Sequence, residues 1–146
     1  MIQLASVYER DNKWYLHPSS RTVTGLWILT PPILELDAGD TREHKGGAVI
    51  EALAESRHGI PMPADGNKVA DPLLVAAKAR SWSALLKNAK SVHVQRETGR
   101  LTVMPSRKTD RTGTQEGIPD EAIELPEGAS KEEIGAAVEE ALSRCR

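Results

Sequence analysis

The chain has 146 residues, enough for one domain with a real core, and its formal net charge of −2 removes any global pull towards nucleic acid or an anionic membrane. Aromatic residues make up 3% and phenylalanine is absent, so the core must be Leu, Val, Ile and Ala, with Trp14, Trp27 and Trp82 as its largest pieces. The one cysteine, Cys145, excludes an intrachain disulfide and fits a reducing compartment.

The first residues, MIQLASVYERDNK, show no basic segment followed by an apolar run, so no secretory signal is expected. No apolar stretch approaches the ~20 residues of a membrane helix. The expectation is a soluble, cytoplasmic protein.

In chain order, VYERDNKWYLHPSSRT (7–22) reads as a β-hairpin turning at Asp11-Asn12, where Asn tolerates positive φ. A two-residue turn there pairs Val7 with Leu16. Residues 21–30 are β-rich until Pro31-Pro32, and 33–36 form a short strand. Asp40 or Thr41 caps the next helix, which carries Ala48, Val49, Ala52 and Leu53 on one face. Gly46-Gly47 weakens that helix, and close packing on the sheet is the expected reason. Residues 58–68 are a turn-rich connector. Asp71 reads as an N-cap with Pro72 at the first helical position, and Ser81 interrupts or restarts a helical insert over about 72–89. Trp82, Leu85 and Leu86 are expected to face inward. A second hairpin, about 92–104, turns at Thr98-Gly99 and pairs Val94 with Val103. Residues 107–117 are polar and read as a mobile loop. A short strand at 122–125 precedes a capping box, Ser130-Lys-Glu-Glu133, and a helix with Ile134, Ala137, Val138, Ala141, Leu142 and Cys145 on one face. That position makes Cys145 a packed small residue.

Two stretches spell nearly the same thing. Residues 34–56 align without a gap on 123–145 at an offset of 89, with ten of 23 pairs identical, among them Gly46/Gly135, Val49/Val138 and Leu53/Leu142. The hairpins match at an offset of 87. The ordered matches read as a duplicated hairpin–strand–helix unit, over about 1–57 and 90–146, joined by a connector and helical insert at 58–89. Convergence of Ala- and Glu-rich helices is the competing reading. The expected fold is α+β, one domain over 1–146, with an antiparallel sheet built from both units.

Motifs of chemistry are missing. His17, His44, His58 and His93 share no metal-ligand spacing, and there is no CxxC, HExxH, phosphate-binding glycine loop or GxSxG. Neither metal nor cofactor is expected. His17 lies beside Ser19 and Ser20, but the matching stretch at 104–107 reads MPSR, so a loop is the plainer reading. Charge is the remaining signal. Residues 78–108 hold eight basic residues against one acid, Glu97, while 110–140 hold ten acids against Arg111 and Lys131. Either these faces neutralise each other after folding, or an acidic surface steers a basic partner.

Several segments together resemble immunity proteins of bacterial contact-dependent growth inhibition systems: SSRTVTG with the following PP, the GAVIEAL helix, SWSALLKNAK, VHVQRETGRLTVMPSR and the closing IGAAVEEALSRC helix. The resemblance implies a cytosolic antidote without catalytic residues. Its partner would be the toxin domain at the C-terminal end of a large delivered effector, in many cases a nuclease; no nucleic-acid or membrane partner is expected. Charge clustering puts the contact surface at Asp110, Glu116, Asp120, Glu121, Glu124 and Glu127. Two other classes remain: a small enzyme with a site between the units near His17 and His93, and a self-associating structural module.

Overall fold

The computed structural model describes residues 1–109 and 115–146. Nine strands form the sheet, and four α-helices are present among the described residues. The centre is two hairpins side by side. Strand β1 (Gln3–Arg10) pairs antiparallel with β2 (Lys13–Thr22), and β6 (Lys90–Glu97) pairs antiparallel with β7 (Arg100–Lys108). Val7 lies opposite Leu16 and Val94 opposite Val103, the two apolar pairs that the turns dictate. Asp11 and Asn12 take φ of 53° and 61°, as a two-residue turn that follows the strand twist requires, and Gly99 takes 85°.

The hairpins join through β1 and β6, which run antiparallel, so both halves share one sheet. Strand β3 (Trp27–Leu29) lies along one end of β2. Strand β4 (Leu34–Asp37) pairs with the other end, and β9 (Ile123–Pro126) takes the corresponding place on β7. The registers correspond at the sequence offsets: Trp14 opposite Leu36 recurs as Leu101 opposite Leu125. Strand β5 (His58–Ile60) adds a parallel pairing with β2 inside the turn-rich connector. Strand β8 (Gln115–Gly117) pairs with the far end of β7, so residues 107–108 and 115–117 are ladder rather than loop. Backbone donors on both flanks, given partners, extend the strands beyond what the polar composition suggests.

Alternation along each strand assigns two faces. One face presents Ala5, Val7, Trp14, Leu16, Val92, Val94, Leu101 and Val103 to α1 (Arg42–Ala54) and α4 (Lys131–Arg144), and this is the main core. Thr41 caps α1 by accepting from the His44 N–H, and the Ser130/Glu133 capping box closes α4. The glycine of α1 answers to the other helix, not to the sheet. A Cβ on Gly46 would sit 1.8 Å from the carbonyl oxygen of Lys131, and one on Gly135 would sit 2.2 Å from that of Arg42. The two helices therefore touch backbone to backbone at reciprocal positions.

The opposite face carries Tyr8 and Tyr15, covered by α2 (Asp71–Ala77) and α3 (Trp82–Lys87) through Leu73, Ala77, Leu85 and Leu86. Ser81 caps α3 by accepting from the Ala84 N–H, which explains the break between these helices. At α2 the expected cap is displaced: Ala70 is the N-cap, and Asp71 is already helical. Trp82 also departs from expectation. It packs edge-on against Tyr8, with ring centroids 5.9 Å apart, yet stays 40% exposed. Trp82 shares a helix face with Leu85 and Leu86, at spacings of three and four residues, but as the first residue of α3 it borders the open cavity that Leu26 and Met62 also line. Cys145 is partly buried against the main core, its thiol 3.3 Å from the Ser91 carbonyl oxygen.

Candidate functional site

The acidic stretch lies along the β7 flank of the sheet. Most of its carboxylates already have partners. Glu116 meets the Arg107 guanidinium at 2.7 Å, and Glu121 meets Arg146 at 3.3 Å and Arg144 at 3.8 Å. Glu124 lies 3.8 Å from Arg100, and the Glu127 carboxylate accepts from the Gly99 N–H at 2.9 Å. Asp120, exposed on the short turn Pro119–Glu121, has no ion pair among the described residues. Asp110 lies outside them. The basic block thus lends Arg100 and Arg107 to the acids beside it, so folding neutralises part of the dipolar pattern.

A wide cavity lies on the other side of the molecule, on the sheet face opposite α1 and α4. It measures 640 Å³, within the ~300–1,000 Å³ of ordinary ligand pockets. Strand β3 and residues 62–70 wall it, with Trp82 at one side. Leu26, Met62 and Trp82 line it and remain 53%, 45% and 40% exposed, so its mouth is a contiguous apolar rim. None of its lining residues is Asp, Glu, Lys or Arg.

Pleat and register build the floor. Ser6 lies opposite His17 on one side and opposite His93 on the other, placing three polar side chains in one row across β2, β1 and β6. Ser6 Oγ and His93 Nδ1 share a hydrogen bond of 3.0 Å. His17 stacks on Tyr8 at 5.7 Å, and Nδ1 lies 2.7 Å from the Pro18 carbonyl oxygen. Burial pushes the His17 imidazole down to about 4, with the neighbouring His93 acting in the same direction against the Pro18 hydrogen bond; His93 is exposed, and partial desolvation by the groups around its ring lowers it as well. Both shifts favour the neutral ring. The structure thus unites two histidines far apart in sequence. It also shows the serine–histidine contact of nucleophilic chemistry, but no carboxylate lines the cavity to orient the imidazole. The arrangement is suited to accepting hydrogen bonds inside an apolar chamber.

Lys45 is buried at 3% exposure on the α1/α4 side. Its ammonium donates to the Ala38 carbonyl oxygen at 2.6 Å and to Glu139 at 3.0 Å, and lies 4.4 Å from the Trp14 ring centroid. Burial acts to raise Glu139, but hydrogen bonds from Lys45 and Arg42 outweigh it and hold the carboxyl below its ordinary value.

A family model for the CDI immunity protein (CdiI) matches residues 31–145. The chain belongs to the CDI immunity protein family. Among solved structures, this CdiI-family chain is similar to a protein of unknown function, NMB0488, from Neisseria meningitidis, at 25% identity and a TM-score of 0.82, covering 100% of this chain and 96% of the other. It has the fold of a chain in a CdiA-CT/CdiI toxin and immunity complex from Yersinia pseudotuberculosis, at 20% identity and a TM-score of 0.82, covering 100% and 98%. No curated protein sequence matches.

The expected acids and histidines were read from composition and position, but the apolar rim was not foreseen in the sequence. Its trace there is the run Leu26-Trp27-Ile28-Leu29, unbroken by polar residues and ended by Pro31-Pro32, on a strand too short to bury it.

Proposed function

We propose that this chain is a non-enzymatic immunity protein that neutralises a delivered toxin domain by binding it directly in the cytosol. Membership of the CDI immunity protein family carries the reading. Its partner is the C-terminal toxin domain of a large effector, and in this reading that toxin is a nuclease.

The docking surface we favour is the apolar cavity and its rim. Exposed Leu26, Met62 and Trp82 around a concave site are what a protein interface core uses. The acids Glu116, Asp120, Glu121, Glu124 and Glu127, with Asp110, are proposed to act at longer range, steering a basic toxin without forming the buried contact. The test is co-expression with the cognate toxin domain, together with measured association. Leu26→Asp and Met62→Asp should leave the fold intact, abolish protection and weaken binding at least tenfold. Reversing the acids should slow association at low salt and leave dissociation unchanged. Unaltered protection by both rim variants would remove the cavity from the interface, and a toxin that kills despite the wild-type chain would refute the function.

A further inference from the structure

The sheet has a near-twofold relation, and one half of one face is left bare. Residues 87 apart correspond in the two hairpins, and on β1 and β6 the corresponding residues Ser6 and His93 lie directly opposite each other. Ala5 opposite Val94 and Val7 opposite Val92 keep the same relation on either side. The face away from α1 and α4 thus carries two corresponding rows. Tyr8, Tyr15 and Glu35 run across β1, β2 and β4. Gln95, Thr102 and Glu124 run across β6, β7 and β9.

The two rows are covered differently. Helices α2 and α3 bury Tyr8 and Tyr15, each 5% exposed, under Leu73, Ala77, Leu85 and Leu86. With α1 and α4 on the other face, no α-helix among the described residues remains for Gln95 and Thr102, and both keep part of their surface open. The bare row adjoins the cavity. Gln95 lies opposite Leu4, Leu4 lies opposite Ser19, and Ser19 and His93 line the cavity wall. Composition follows coverage. Tyrosines suit a permanent apolar cover, whereas Gln and Thr suit a surface that stays hydrated until a partner arrives, and a non-obligate interface is about as polar as the rest of a protein surface. At the outer edge Arg100 lies 3.9 Å from Glu97 and 3.8 Å from Glu124, so two carboxylates share one guanidinium. The excess negative charge there complements a basic partner.

We propose that the toxin domain lies across this bare half of the sheet, with a polar surface over Leu4, Gln95 and Thr102 and a lysine or arginine towards the Glu97–Glu124 edge. Gln95 and Thr102 are then specificity-determining contacts, and Glu124 stays at the solvent-open rim. The proposal rests on the toxin-binding reading above, and it extends the footprint beyond the cavity.

Gln95→Arg and Thr102→Arg place bulk and positive charge on this face without entering the main core. Association and dissociation of the cognate toxin domain are measured on the full chain for each, with Glu51→Arg, on the exposed side of α1, as the control. Both row variants should keep the wild-type Tm and dissociate about tenfold faster or more, while Glu51→Arg should dissociate like the wild type. Should a row variant not fold, NMR of the unaltered ¹⁵N-labelled chain decides, because the toxin domain should shift the Gln95 side-chain amide. Wild-type dissociation in both row variants, or an unmoved Gln95 amide, overturns the proposal; if Leu26→Asp still disrupts binding in that case, the toxin-binding reading stands. A toxin domain that does not bind the wild-type chain at all overturns both.

Discussion

Replacing Gly46 by alanine puts the helix pair to a direct test. In an exposed helix, glycine to alanine gains about 1 kcal/mol. Here the new methyl would lie 1.8 Å from the Lys131 carbonyl oxygen, and it must recede about 1.6 Å to reach the 3.4 Å of ordinary contact. The obstacle is backbone, so no rotamer change can absorb it. Helices α1 and α4 must separate instead, loosening the layer that contains Val49, Ile134 and Val138. Overpacking of this kind costs about 1–3 kcal/mol, and a rigid neighbour puts it at the top of that range. The net expectation is a loss of about 2 kcal/mol. Gly47 is the internal control: its added methyl would meet the flexible Lys131 side chain, Cδ at 3.6 Å and Cε at 3.9 Å, so Gly47→Ala should be neutral or stabilising by up to about 1 kcal/mol. Urea unfolding with a common m-value reads both, and Gly46→Ala should lose about 4–8 °C in Tm. Equal stability of the two variants, or a stabilised Gly46→Ala, would refute the backbone contact.

Other outcomes follow from the same structure. His17 titrates near 4 when folded and near 6.5 when unfolded, so the unfolded chain binds more protons between those values. Stability should be complete above about pH 6.5 and fall by about 3 kcal/mol on acidification to pH 4, with His93 adding in the same direction; His17→Phe should flatten the slope in urea unfolding across that window. Glu139→Leu strands the Lys45 ammonium and should cost about 2 kcal/mol, less than a fully buried pair because Glu139 remains partly exposed. The positions matching Lys45 and Glu139 at the offset of 89 are Ile134 and Ile50, so Lys45→Ile with Glu139→Ile should recover most of that loss in thermal unfolding. Ser130→Ala removes the capping box of α4 and should cost about 1 kcal/mol by the same measurement.

What the sequence made readable was local. Asp11-Asn12 and Thr98-Gly99 fix two tight turns, and each turn fixes its register, so the Val7–Leu16 and Val94–Val103 pairs followed at once. Ser130 and Glu133 announce a helix start through hydrogen bonds that span only three residues. Long-range packing was not readable. Gly46 has the same local signature whether a sheet or a helix lies against it, and only the approach of Lys131, 85 positions on, decides. Trp82 shares a helix face with Leu85 and Leu86, but it opens α3 beside the cavity that Leu26 and Met62 line, a neighbourhood that only the folded chain creates. The cavity floor joins His17, Ser6 and His93 through two strand pairings, one of them between residues 87 apart. The acids were legible as a charge run, while their partners Arg100, Arg107, Arg144 and Arg146 become neighbours only after folding.

The most direct measurement is binding between the purified chain and its cognate toxin domain, read by calorimetry alongside the toxin's activity. A one-to-one complex in which activity disappears, and which Leu26→Asp disrupts, is the expected result. A toxin that stays active in the presence of excess chain, with no heat of binding, would contradict it.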